Sequence, residues 1–192
     1  KKNDIVFDIG ANIGAHTLPA AKYLGDNGII HAFEPTKYAY DKLNKNISLN
    51  PKFSDRIKVN QILLTDNKKT HVSALYSSWS LDTKKQKHKK HQGNLRSTKG
   101  CKIMTLDQYV FQNKIQNVKL IKIDVDGVEI EGLEGGKIFF QTQKPTILIE
   151  LAPYTFEERG QSFSYLISLL EKMNYELYLI KKPIRLPFNH AL

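Results

Sequence analysis

The chain has 192 residues, 41% of them hydrophobic and 25% charged, which suits one domain with a substantial core. Nothing approaches the ~18 consecutive apolar residues of a bilayer span, and Ile5-Val6-Phe7 is too short for the core of a secretory signal. Cys101 is the only cysteine, which excludes an intrachain disulfide, so a cytoplasmic protein is the expectation. The net charge of +10 is local: residues 83–102 hold eight basic residues and no acid, and outside them 21 basic residues face 19 acidic ones. That distribution disfavours a general nucleic-acid binder.

In chain order the signals alternate strand and helix. Ile5–Asp8 is a short apolar run ending in an acid and a glycine turn, followed by a helix over 15–25 that Gly25 closes. Gly28–Glu34 is a second strand, again ending in an acid. Residues 37–49 carry helical spacing with Asn50-Pro51 as a stop, and Ile57–Leu64 reads as a third strand. Further on come strand Val118–Asp124, helix Ile130–Gln141, strand Thr146–Leu151, helix Phe163–Asn174 and a closing strand over Tyr175–Ile180. This is the pattern of βαβ crossovers, hence a doubly wound α/β fold whose mostly parallel sheet has helices on both faces. Residues 1–192 are expected to form a single domain, and the start of the chain almost at its first strand leaves room for natural sequence upstream.

Residues 66–105 break the rhythm. Val72–Tyr76 and Lys102–Thr105 are candidate short strands, and Leu106–Phe111 can start a helix. The basic insertion at 83–102 contains the lysine-rich run Lys84–His91. It is either a solvated loop or a lid that recruits an anionic acceptor such as a phosphorylated sugar.

The chemistry concentrates at strand ends, where open parallel sheets bind ligands. After the first strand comes Asp8-Ile9-Gly10-Ala11-Asn12-Ile13-Gly14, and Glu34 follows 24 residues after Gly10. A carboxylate there can accept the ribose hydroxyls of an adenosine-containing ligand. A nicotinamide dinucleotide requires glycines where this chain has Asn12 and Ala15, so the turn favours S-adenosylmethionine, which carries no phosphate. Asp8 either orients the loop or meets the ammonium group of that cofactor.

Several segments together make the chain similar to the FkbM-type family of S-adenosylmethionine-dependent methyltransferases. They are Val6–Gly14, Ala32-Phe33-Glu34-Pro35, Thr105-Leu106-Asp107, Leu120–Glu129 and Ile147–Glu150. The resemblance implies O-methylation of a small sugar-like or polyketide-like acceptor. It implies cofactor contacts from Asp8, Gly10, Ala11, Asn12, Gly14, Glu34, Pro35 and Asp124, with Asp66 meeting the adenine. The chain differs from the family at Asp126, where glutamate is more usual, and at Leu151-Ala152-Pro153, which replace a histidine after the acid.

Asp124, Asp126 and Glu129 crowd the end of the strand Val118–Asp124, and Glu150 ends the next one. Crowded acids suit a general base for an acceptor hydroxyl, which makes Asp124, Asp126 and Glu150 the catalytic candidates. Two other uses stand beside it: a magnesium or calcium site, and Asp126 or Glu129 facing the following helix dipole. An EF-hand fails, because its twelfth position falls on Gly135. No histidine has metal-ligand spacing, no metal is expected, and Trp79 stacks on a sugar or anchors its loop. The competing functions are an NAD-dependent oxidoreductase and an RNA-binding or RNA-methylating protein using the lysine-rich loop.

Overall fold

The computed structural model describes residues 3–66, 72–77, 89–90, 93–180 and 185–186. In chain order it contains β1 (Ile5–Ile9), α1 (Thr17–Tyr23), β2 (Ile29–Phe33), α2 (Lys37–Ser48), α3 (Pro51–Ser54), β3 (Ile57–Asn60) and β4 (Ile62–Leu64). Then follow β5 (Ala74–Ser77), β6 (Asn94–Ser97), β7 (Lys102–Met104), α4 (Leu106–Gln112), β8 (Val118–Ile123), α5 (Glu129–Glu134) and α6 (Lys137–Gln143). The last elements are β9 (Thr146–Ile149), α7 (Pro153–Glu158), α8 (Phe163–Lys172), β10 (Leu177–Tyr178) and β11 (Arg185–Leu186).

Five strands form the central sheet in the order β3-β2-β1-β8-β9, all parallel. The chain winds outward from β1 to β3, then returns to β8 on the other side of β1. The strand order therefore reverses between β1 and β8, which opens a crevice at their carboxyl ends. Both faces of the sheet are covered, which explains why its strands read as nearly continuous apolar runs. Phe7, Ile9, Phe33, Ile121 and Ile123 pack with Leu106, Tyr109, Phe139, Phe156 and Leu166 from the later helices. Val6, Ile30 and Ala32 face the other way, onto Ala21, Leu43 and Ile47 of α1 and α2.

Three polar side chains are linked inside this core. His31 on β2 bonds the Tyr109 hydroxyl at 2.7 Å, and that hydroxyl donates to Asn60 at 3.0 Å. The tyrosine proton is thus committed, so Nδ1 of His31 donates, and burial followed by the charge of Lys58 pushes the ring's pKa down to about 4. The Thr105-Leu106-Asp107 segment is structural. Thr105 and Gln108 form a capping box on α4, while Asp107 accepts the Ile138 and Phe139 N–H groups that open α6.

Four boundaries differ from expectation. The strand expected over Ile57–Leu64 breaks at Gln61: β3 stays in the central sheet, whereas β4 leaves it to pair with β7. The helix expected over Ile130–Gln141 stops at Gly135-Gly136, where backbone and side chains press in. A Cβ at Gly135 would lie 2.1 Å from the Thr65 carbonyl oxygen, and one at Gly136 would lie 2.8 Å from the Phe140 ring. The strand expected over Tyr175–Ile180 shrinks to β10, which pairs antiparallel with β11 and not with the central sheet. The basic segment 83–102 is not one loop, since it contains β6, which pairs antiparallel with β5. Lys84–His88, His91 and Trp79 lie outside the described residues.

Candidate active site

The turn after β1 is held by its own backbone. Gly10 and Ala11 donate to the Phe33 carbonyl at 3.0 Å each, and Gly14 donates to Ala11 at 2.9 Å. Gly10 has φ +80°, and a Cβ there would lie 1.8 Å from the Asp124 carbonyl oxygen, so only glycine fits. Asn12 also has a positive φ, +49°. Its N–H donates to Oε2 of Glu34 at 2.9 Å.

Glu34, 5% exposed at the end of β2, clamps the turn from the side. Its Oε1 accepts the Thr36 N–H at 2.9 Å and the Thr36 hydroxyl at 2.5 Å. Burial pushes its pKa up against those bonds. Oε2 receives only the Asn12 donor among these bonds, which leaves acceptor capacity on the oxygen nearest the turn.

Beneath the turn lies a lysine. Lys122 on β8 is the register partner of Asp8 on β1, and both are buried. Its Nζ lies 3.4 Å from Asp8 Oδ1 and 3.0 Å from Asp124 Oδ2, and it donates to the Gly10 carbonyl at 3.3 Å. Asp8 also accepts the Thr17 hydroxyl at 2.6 Å. Burial works against the ammonium charge, but the two carboxylates outweigh it and hold the lysine's pKa above its usual value.

Glu150 follows β9, and the pairing of Ile123 with Ile149, with the Glu150 N–H donating to the Ile123 carbonyl at 3.0 Å, sets its carboxyl within hydrogen-bond reach of Asp124. Two carboxyl groups can bond only through a proton that one of them carries. Burial would raise Asp124, yet Lys122, the bond from Glu150 and the charge of His16 hold it below the usual carboxylate value. Burial, the bond to Asp124 and the charges of Asp124, Asp126 and Glu129 push Glu150 up to about 7. Glu129 clamps its own loop, taking the Val125 and Gly127 N–H groups at 3.0 Å each. It therefore stabilises the entry to α5, and its pKa rises to about 7, chiefly through burial.

A narrow cleft of about 30 Å³ opens where these parts meet, lined by Gly10, Asn12, Glu34, Pro35, Asp124 and Asp126. Thr36, Val125 and the β5 residues Leu75 and Tyr76 complete the wall. Six of the expected site residues thus converge. Asp8, Ala11, Gly14, Asp66 and Glu150 are not in this lining. Asp8 supports the turn from below and Glu150 reaches it through Asp124. Asn12 Oδ1 is buried with no hydrogen-bond partner among the described residues. Lys122 went unnoticed in the sequence, although a lysine inside an apolar strand is itself a signal. No group of three His, Cys, Asp or Glu among the described residues is arranged to hold a metal ion. A wider cavity, about 1020 Å³, runs along β9 and 174–180 and carries none of these groups.

The fold is Rossmann-like, with the turn after β1 at the switch point of its parallel sheet. The chain belongs to the methyltransferase FkbM domain family, whose pattern matches residues 8–177. Methyltransferase FkbM from Methylobacillus flagellatus superimposes with a TM-score of 0.56 at 16% identity, covering 88% of this chain. The match spans only 37% of that protein. A putative rRNA-methylase from Clostridium thermocellum gives a TM-score of 0.53 at 13% identity, over 95% of this chain and 81% of the other. No curated protein matches the chain at a significant level. Among the described residues no helix is long and apolar enough to cross a membrane.

Proposed function

We propose that the chain binds S-adenosylmethionine at the turn after β1 and methylates a hydroxyl oxygen of a small, sugar-like or polyketide-like acceptor. The observation that carries this reading is the polarity of the cleft. The N–H groups of Gly10, Ala11, Asn12 and Gly14 are all bonded within the protein. A pyrophosphate needs such donors and finds none of these four free. What lines the cleft instead are the acceptor side chains of Glu34, Asp124 and Asp126, beside Asn12, whose buried Oδ1 has no hydrogen-bond partner among the described residues. Those suit a ligand that brings hydroxyl, ammonium and sulfonium groups, and they disfavour a nicotinamide dinucleotide.

When bound, the cofactor supplies a methyl group on an electrophilic sulfonium. Glu34 Oε2 and Asn12 Oδ1 would hold its ribose and amino-acid ends, Gly10 keeps the turn close, and Asp124 marks the acceptor side. Glu150, once deprotonated, takes the proton that the acceptor hydroxyl loses, and that proton re-forms its hydrogen bond to Asp124. Transfer to oxygen depends mainly on alignment, so the rigid turn and the buried Lys122 contribute by keeping these groups in place.

An adenosine-bearing ligand occupies several hundred Å³, on the scale of ~300–1,000 Å³ for such sites. The wall of Leu75 and Tyr76 must therefore shift outward on binding. Trp79, the only tryptophan, follows Tyr76 by three residues and gives an intrinsic probe. Titration with S-adenosylhomocysteine is expected to change its emission and to saturate. Glu34→Ala is expected to weaken that binding about 10–100-fold, the effect of losing hydrogen bonds to a charged acceptor. Unchanged affinity in that variant would remove Glu34 from the site.

A further inference from the structure

We propose that Lys122 is a positioning residue that assigns the proton of the Asp124–Glu150 pair: from beneath the turn it holds Asp124 as the carboxylate and leaves the proton on Glu150. Its part in methyl transfer rests on the function proposed above. Its part in the titration of the pair does not.

The geometry is that of a three-point brace. Lys122 sits on the strand that carries Asp124 two residues on, and directly across from Asp8 on β1. One ammonium thereby ties the ends of both strands at the switch point, touching Asp8, Asp124 and the Gly10 carbonyl at 3.4, 3.0 and 3.3 Å. A lysine that only filled space would not be kept almost wholly buried between two acids, because removing its charge from water is costly. Asp8 and Asp124 are not equivalent partners. The Asp8 side chain is sealed in and receives Thr17, whereas the Asp124 side chain is 34% exposed and lines the cleft. Asp8 therefore anchors the lysine, and Asp124 is the group whose ionisation the lysine sets.

The same choice has a chemical consequence. The groups acting on the pair are Lys122 and His16 on the Asp124 side, and Asp126 and Glu129 on the Glu150 side. The Lys122 ammonium thus sits against one carboxyl at 3.0 Å while anions face the other, so the proton rests on Glu150. Glu150 is then the member that loses it near neutral pH and becomes a base, while Asp124 stays charged beside the turn. A carboxyl pair without such a bias would share the proton between two positions and present no single base.

The test is carboxyl ¹³C NMR of protein labelled at aspartate and glutamate, titrated over pH for the parent, Lys122→Met and Asp8→Asn/Lys122→Met. The single variant leaves the buried Asp8 charge without its cation and is expected to lose stability. The double variant removes both charges while the amide oxygen introduced by Asp8→Asn still accepts from Thr17, so it keeps the measurement possible. In the double variant Asp124 is expected to titrate about 1–3 units higher than in the parent, the usual effect of losing an adjacent opposite charge. Lys122→Arg is expected to restore most of the parent behaviour. An Asp124 titration that is unchanged in the double variant would overturn the proposal and leave Lys122 as a structural brace. The titration needs neither cofactor nor acceptor. A failure to bind S-adenosylhomocysteine would therefore count against the proposed function alone.

Discussion

Glu150→Gln is expected to lower the rate of methyl transfer by about 10²–10⁴-fold at neutral to mildly alkaline pH, the range for loss of a general base. Glutamine keeps the hydrogen bond to Asp124, because its NH₂ donates where the protonated acid did. The change therefore removes proton acceptance and little else, and the affinity for S-adenosylhomocysteine should stay within about two-fold of the parent. The pH dependence carries the sign. A base works only when deprotonated, and Glu150 is pushed up to about 7 by burial first, then by the bond and charge of Asp124 and the charges of Asp126 and Glu129. The parent rate should therefore rise with pH through an apparent value near 7, and Glu150→Gln should lose that rise. A variant that keeps both rate and pH profile would exclude Glu150 as the base and return attention to Asp124 and Asp126.

Gly10→Ala is expected to cost about 3 kcal/mol or more of stability, a shift of roughly 6–12 °C in Tm for a chain of this size, and to abolish cofactor binding. Two effects add. The φ of +80° costs an alanine about 1–2 kcal/mol, and the Cβ would overlap the Asp124 carbonyl oxygen at 1.8 Å, which forces β1 and β8 apart where the site is built. Gly100→Ala separates the two effects. Gly100 has φ +88° but, apart from its chain neighbours, no atom of the described residues within 4 Å of its Cβ position, so it should show the conformational cost alone, about 1–2 kcal/mol. Equal losses in the two variants, by thermal unfolding, would mean that the approach of Asp124 to the turn is not close.

Much of this architecture was legible because a parallel sheet covered on both faces must be written in apolar runs. β1, β2, β8 and β9 all show it. The breaks were harder to see. Nothing in the alternation of Ile57–Leu64 says that the chain changes sheets at Gln61, since both halves are apolar and the reason is the pairing of β4 with a strand about 40 residues away. The stop at Gly135-Gly136 was present as two glycines, but its cause is the Thr65 carbonyl pressing from another part of the chain. Helix α7, starting at Pro153, lies where the sequence offered only a departure from the family pattern.

At the site, the glycine turn, Glu34 and Asp124 were readable because their spacing reflects local geometry. The roles of the acids were not, because they depend on contacts across strands. Asp8 and Glu129 hold loops in place, by bonds to Thr17 and to the Val125 and Gly127 N–H groups. The N-cap of α5 is Val128, with no side-chain cap bond, and Glu129 in the first turn turns back to its own loop instead. Lys122 acquires meaning only when β1 and β8 are set side by side.

The most direct test of the account is calorimetric titration of the protein with S-adenosylhomocysteine and, separately, with NAD. Saturable micromolar binding of S-adenosylhomocysteine and no heat from NAD are expected, since the N–H groups of Gly10, Ala11, Asn12 and Gly14 are already bonded within the protein. Binding of NAD, or of neither ligand, would contradict the proposed function.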